Sequence, residues 1–266
     1  MIRRSVRAAI AAAGLAIGLV GATATAEAPA QRGAAFAALG QLPDWDRGVW
    51  QVDWSVLFGA GGRRAPPEQP SLTPEYAAKF AAYKASQKQG ENVQPENANC
   101  VPPGMPQIMS MPYPLEFIYS PGRVTIAIET DSQVRRIWTD GRKHPADPDD
   151  TFNGDSIGHW EGQDLVVDTI ALEPHVLMAA GVPHSDQERI VERFHQVGPD
   201  RIDVTTTITD PKVLAKPWSV TRPYVRHADW QIQEYVCEQN NHDFAGPEGQ
   251  AGIRLDNTTP APAPAP

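Results

Sequence analysis

The sequence carries no glycine-rich phosphate loop and no His-x-x-x-His pair, and its Gly-x-Ser-x-Gly spelling, Gly154-Asp-Ser-Ile-Gly158, opens the hairpin strand 156–160 and not a strand-to-helix elbow. The phosphate cradle, strained serine nucleophile and helical metal-ligand pair that these motifs build are therefore not signalled. Long apolar runs are also missing beyond residues 8–21. No later stretch approaches the run of about 20 apolar residues that spans a bilayer as a helix. Positive charge is scarce, with 23 Lys and Arg against 32 Asp and Glu, a formal net charge of -9, and no Lys/Arg block. A chain this acidic argues against nucleic acid or anionic lipid as a partner. Cysteine is almost absent: Cys100 and Cys237 are the only two.

Residues 1–26 read as a signal peptide. Arg3, Arg4 and Arg7 form the charged start, 8–21 the apolar stretch, and small residues precede a cleavage site after Ala26. The mature protein is expected in the periplasm or outside the cell. There the default for two cysteines is one disulfide, Cys100–Cys237, with two buried thiols as the alternative. Roughly 240 residues remain, enough for one domain with a real core. Residues 27–41 read as a mobile start or short helix, 42–244 as a single β-rich domain, and 245–266 as a disordered Pro/Ala tail. The 26 prolines imply long ordered loops as well as tails.

One convincing helix runs over 71–88. Thr73 can cap it, Pro74 suits its first turn, and Glu75 faces the positive end of its dipole. Its stripe of Tyr76, Phe80 and Tyr83 reads as core packing rather than a ligand box. Strands are expected at 48–57, where Trp50, Val52 and Trp54 alternate with polar residues, and at 115–119, 124–130 and 134–139. Further strands are expected at 156–160, 165–170, 189–196, 201–209, 218–225 and 230–236. The hairpin of 156–160 with 165–170, turned at Gly162, organises this set. Short turns between strands predict an antiparallel meander that closes into a lipocalin-like barrel, since closure removes exposed edges. A two-sheet sandwich is the alternative.

The ordered series Cys100-Val-Pro-Pro-Gly-Met-Pro, Arg135-Arg-Ile-Trp-Thr-Asp-Gly-Arg-Lys-His-Pro145, Gly158-His-Trp-Glu-Gly162, Asp164-Leu-Val-Val-Asp-Thr169, Glu192-Arg-Phe194 and Asp210-Pro211 resembles a large family of exported, mostly uncharacterised bacterial proteins. The resemblance covers most of 42–240. It implies a secreted β-rich domain and carries no reaction or catalytic residue with it. The Trp-Glu-Gly turn before a short apolar strand also resembles hairpins of lipocalin-like barrels.

Candidate chemistry comes from the residues themselves. His159 and Glu161 are two apart and so share a strand face. His144, His184 and Arg142 lie in neighbouring strands and loops, and a meander brings sequence neighbours together in space. These five are the candidate catalytic set. A His–Glu pair could move protons for a lyase, isomerase or hydrolase, with an arginine stabilising an anion. His144, His159 and His184 could alternatively hold a divalent metal beside a carboxylate. Arg135, Arg136 and Arg142 could equally be structural partners of Glu129, Glu161 and Asp168 across strands. Trp160, Arg136, Glu129, Tyr113 and Met105 are the candidate ligand contacts. Met105, Met109 and Met111 could line an adaptable apolar surface or pack their Pro-rich loop onto the barrel. Trp138, Trp160, Trp218 and Trp230 read as core or as the lining of a mouth. The expected partner is a small apolar or aromatic molecule, acted on or simply bound.

Overall fold

Nine strands close into one barrel in the computed structural model, which describes residues 29–55, 69–88, 100–174, 176–178, 182–237, 243–245 and 251–253. In chain order the barrel strands are β1 (Val49–Val52), β2 (Leu115–Ser120), β3 (Arg123–Ile128), β4 (Gln133–Trp138), β5 (Asp155–Glu161), β6 (Asp164–Ile170), β9 (Arg189–Gly198), β10 (Arg201–Thr209) and β11 (Trp218–His227). Two short strands, β7 (Leu177–Met178) and β8 (Val182–Pro183), pair in the loop between β6 and β9. Two helices are described, α1 (Pro29–Ala38) and α2 (Pro74–Lys88).

The barrel follows the expected meander with one difference in direction. Every neighbouring pair is antiparallel except β4 with β5, which is parallel. Parity requires this. A ring of strands can alternate direction throughout only if their number is even, so nine strands force at least one parallel pair. The connection over 139–154 makes it possible by carrying the chain back to the starting end of the barrel, where a hairpin would have reversed it. The parallel seam is short: only Ile137↔Ser156 and Trp138↔Ile157 pair across it. Gly158 sits beside it without a side chain, and a Cβ there would come within 2.8 Å of Ile137 Cγ2. The Gly-His-Trp-Glu-Gly run thus begins with a residue that lets β5 approach β4.

Inward positions alternate as a half-buried sheet requires. Leu165, Val167 and Thr169 of β6 face in, as do Ile190, Glu192 and Phe194 of β9 and Ile202, Val204, Thr206 and Ile208 of β10. Trp45 closes the end where β5 and β9 finish. It is fully buried, with its ring centroid 5.4 Å from Trp160, 5.5 Å from Phe117 and 6.2 Å from Phe194. Its indole N–H donates to Gln196 at 3.0 Å, which satisfies the polar edge of the ring.

The Pro-rich connection before β2 packs onto the barrel. Met105 and Met109 are core residues, and Tyr224 donates its hydroxyl to the Met109 carbonyl. Gly104 adopts φ +64, and a Cβ there would lie 2.2 Å from Val176 Cγ1 and 2.7 Å from the Phe152 carbonyl, so the motif's glycine is required twice over. Tyr76 and Phe80 of α2 also pack against the core, as expected for the helix stripe. Thr73 does not cap with its hydroxyl, which donates instead to the Lys212 carbonyl at 2.9 Å.

Several expectations are corrected. The strand over 230–236 does not form, because β11 already has β10 on one side and β1 on the other and leaves no edge for it. That segment crosses the outside of the barrel and ends at Cys237, which is disulfide-bonded to Cys100 with the Cα atoms 5.7 Å apart. The first strand ends at Val52, before Trp54. The closed ring replaces the sandwich alternative. Within the tail read as disordered, Ala251–Ile253 pairs with Asp243–Ala245 in a separate two-stranded sheet. Residues 1–26, read as a signal peptide, together with His175, His242 and the chain beyond 253, lie outside the described residues.

Candidate functional site

The five residues expected to form a catalytic cluster do not come together: His159 and Glu161 meet each other, and His144, His184 and Arg142 are each held elsewhere by other partners. His159 and Glu161 share a face of β5 as predicted, but it is the outer face. Their side chains are 64% and 47% exposed, with His159 Nε2 3.1 Å from Glu161 Oε1. Glu161 also pairs with Arg193, and that guanidinium holds its carboxyl below the usual range. His144 pins the 139–154 loop to the outer wall. Its Nδ1 meets Asp155, and its Nε2 is 3.6 Å from Asp168, which is itself clamped by Arg189. Arg142 is a surface residue, stacked 3.8 Å over the Trp138 ring and paired with Asp140.

His184 is buried in the loop before β9. Nε2 lies 3.0 Å from the Glu173 carbonyl, and Nδ1 lies 3.0 Å from the Ser185 carbonyl and 3.2 Å from Glu188 Oε2. Burial pushes the Glu188 carboxyl up to about 8, with the nearby Asp210 carboxylate adding to the rise. His144, His159 and His184 do not converge. Among the described residues no group of three or more His, Cys, Asp or Glu is placed to hold a metal ion. The cross-strand pairings expected for the arginines also differ, since Glu161 and Asp168 pair with Arg193 and Arg189 of β9.

The ionic contact that sequence neighbourhood did not single out is inside the barrel. Arg135 of β4 and Glu192 of β9 are both fully buried and paired. The same Nη2 lies 3.0 Å from Thr169 Oγ1 and 3.4 Å from Ser156 Oγ, while the two hydroxyls are 2.8 Å apart. Arg135 Nε and Nη1 and Glu192 Oε1 have no protein partner. The pattern offered a signal: Glu192 alternates with Ile190 and Phe194, and Arg135 shares a face with Ile137.

The expected ligand contacts divide. Met105 is fully buried in the core, so it lines no open surface. Trp160 is half-buried between Trp45 and Tyr119. Tyr113 and Glu129 come together in a groove of about 580 Å³, which is within the range of small-molecule sites. The groove runs between the 112–114 turn and the segment that follows β11. Trp230, Asp229, Gln231, Gln233 and Gln51 complete its lining.

Three contacts set its shape. Gln233 N donates to Glu129 Oε2 at 2.8 Å, Gln51 Nε2 donates to the Pro112 carbonyl at 3.0 Å, and Tyr113 meets Tyr235 edge-on at 5.3 Å. Trp230 is 41% exposed and lies flat on His227, with ring centroids 3.6 Å apart. Trp230, read as core or as the lining of a mouth, and Gln233, not a candidate, were not placed beside Tyr113 because their segment reads as a strand. Arg136 lines a second, smaller cleft at the β4–β5 seam.

Comparison of the chain with protein-family models, with curated proteins and with solved structures finds no match. No helix among the described residues is long and apolar enough to cross a membrane.

Proposed function

We propose that this is an exported binding protein that holds a small aromatic compound, neutral or cationic, in the groove beside Tyr113, Glu129 and Trp230. The observation that carries the reading is the lining itself. Two aromatic rings and two carboxylates, Glu129 and Asp229, meet there with no lysine or arginine among the described lining residues. Aromatic faces attract flat ligands and ammonium groups, and the carboxylates favour the latter and repel anions. The binding role is preferred over acid–base catalysis because His144, His159, His184 and Arg142 are each committed to a different local partner. An exported location agrees with the Cys100–Cys237 bond, since disulfides persist in oxidising compartments.

Titration with tryptamine, followed by calorimetry, tests the reading. Saturable binding is expected, weakened about tenfold by Trp230→Ala and also weakened by Glu129→Gln. Trp230 is exposed, so its loss leaves the barrel intact. Absence of saturable binding, or binding unchanged in both variants, would overturn it.

A further inference from the structure

We infer that the short parallel seam between β4 and β5 forms a second binding site, independent of the groove, for a small carboxylate with an apolar or aromatic body. Four observations converge on it. First, β4 and β5 pair only at Ile137↔Ser156 and Trp138↔Ile157, so the β5-facing edge of β4 over 133–136 has no strand partner. An open sheet edge presents backbone amides, which suit an anion. Second, the strands diverge there around a cleft of about 340 Å³, lined on one side by Gln133, Val134, Arg136 and Trp138 and on the other by Phe152 and Asn153.

Third, the cleft contains two charged residues, and one of them is already occupied. Asp155 is held by His144. Arg136 is exposed and makes no ion pair or hydrogen bond among the described residues, so it is the charge left to meet a ligand. A guanidinium matches a carboxylate with two parallel hydrogen bonds, which a point charge does not. Fourth, Phe152 and Trp138, the latter stacked on one face by Arg142, supply half-buried rings beside it.

The site differs from the groove in sign. The groove offers carboxylates without arginine, and the cleft offers an unpaired arginine. A ligand bound in the cleft would bridge two strands that the backbone joins at only two positions, and so should stabilise the barrel by mass action.

Benzoate, with benzyl alcohol as the uncharged control, is the probe, read by calorimetry and by the shift in melting temperature. Saturable benzoate binding with a rise in melting temperature is expected. Arg136→Gln should weaken it by about tenfold or more, the scale of a lost charged hydrogen bond, and Phe152→Leu should also weaken it. Trp230→Ala, which disrupts the groove, should leave it unchanged, so the two sites fail separately. Arg136 is exposed, so its replacement does not threaten folding. The inference is overturned if benzoate does not bind saturably, if Arg136→Gln binds it as well as the parent protein, or if benzyl alcohol binds equally.

Discussion

Arg135 and Glu192 pair inside the barrel across two intervening strands, β5 and β6. The guanidinium group touches all three strands beyond its own: Ser156 on β5, Thr169 on β6 and Glu192 on β9. This network crosses the parallel seam, where the backbone ladder has two residue pairs; only β1–β2, paired at Trp50↔Leu115 alone, is thinner. A buried ion pair gives back much of its attraction in lost hydration, so its value is seldom net stability. Its value here is positional, since it ties β4, which β3 already holds in register through six pairs, to β5, β6 and β9 across a seam joined by only two residue pairs.

Arg135→Met should therefore cost roughly 3–5 kcal/mol in denaturant unfolding, because it leaves Glu192 buried without a partner. Replacing both, Arg135→Met with Glu192→Leu, should recover most of that loss. A double variant as unstable as the single one would mean that the pair supplies stability of its own. A single variant with parental stability would mean that the two groups are not paired.

The same pair shows how far the sequence could be read. The turns and alternation of 115–139, 155–170 and 189–209 predict hairpins, and these form with nearly the expected bounds. Alternation is local, so it survives any tertiary arrangement. Direction around the ring is not local. The parallel seam follows from strand number, and that number changed when 230–236 failed to pair. Arg135 and Arg136 are adjacent, so one must face in and one out. Alternation with Ile137 puts Arg135 on the inward face, and the six-pair ladder with β3 and the Ile137↔Ser156 pair hold it there. The groove was half legible: Tyr113 and Glu129 were candidates, whereas Trp230 enters through a segment whose alternating pattern suggests a strand. His144, His159 and His184 are close in sequence, but β5 turns one outward while loops bury the other two against different partners.

Glu188 makes stability fall as pH rises. Burial beside Asp210 raises its carboxyl from 4.5 in the unfolded chain to about 8 in the folded one. A raised folded value means that the folded state holds the proton more tightly. The associated stability is fully present below pH 4.5 and is lost as pH rises through 8, on the order of 5 kcal/mol at most. Glu188→Gln should flatten the stability profile across this window and exceed the parent protein in melting temperature at pH 9. His184 Nδ1 and Asp210 are the ionisable groups facing it. A protonated His184 would favour the charged carboxylate and oppose the slope. A parent profile already flat between pH 5 and 8.5 would therefore show that His184 holds Glu188 ionised and would refute the prediction.

The Cys100–Cys237 bond should matter more to the groove than to the barrel. It closes a sequence separation of 137 residues, which restricts the unfolded chain by about 4–5 kcal/mol in the loop-entropy model. It also ends the segment that forms one wall of the groove. Other ties of that segment are exposed hydrogen bonds, Ser132 Oγ to the Tyr235 carbonyl at 2.9 Å and Gln233 N to Glu129 at 2.8 Å, each worth about 1 kcal/mol. The barrel ladder closes through β1, which pairs with β11 at four positions and with β2 at Trp50↔Leu115, without them. Reduction should accordingly lower the melting temperature while leaving a strand-dominated far-ultraviolet circular dichroism spectrum. It should weaken tryptamine binding and spare benzoate binding at the seam, none of whose lining residues belongs to the strap. Calorimetry with both probes, before and after reduction and thiol capping, measures this directly. Tryptamine affinity undiminished after complete reduction would show that hydrogen bonds and ring contacts alone hold the strap in place, and the disulfide would then have no part in shaping the groove.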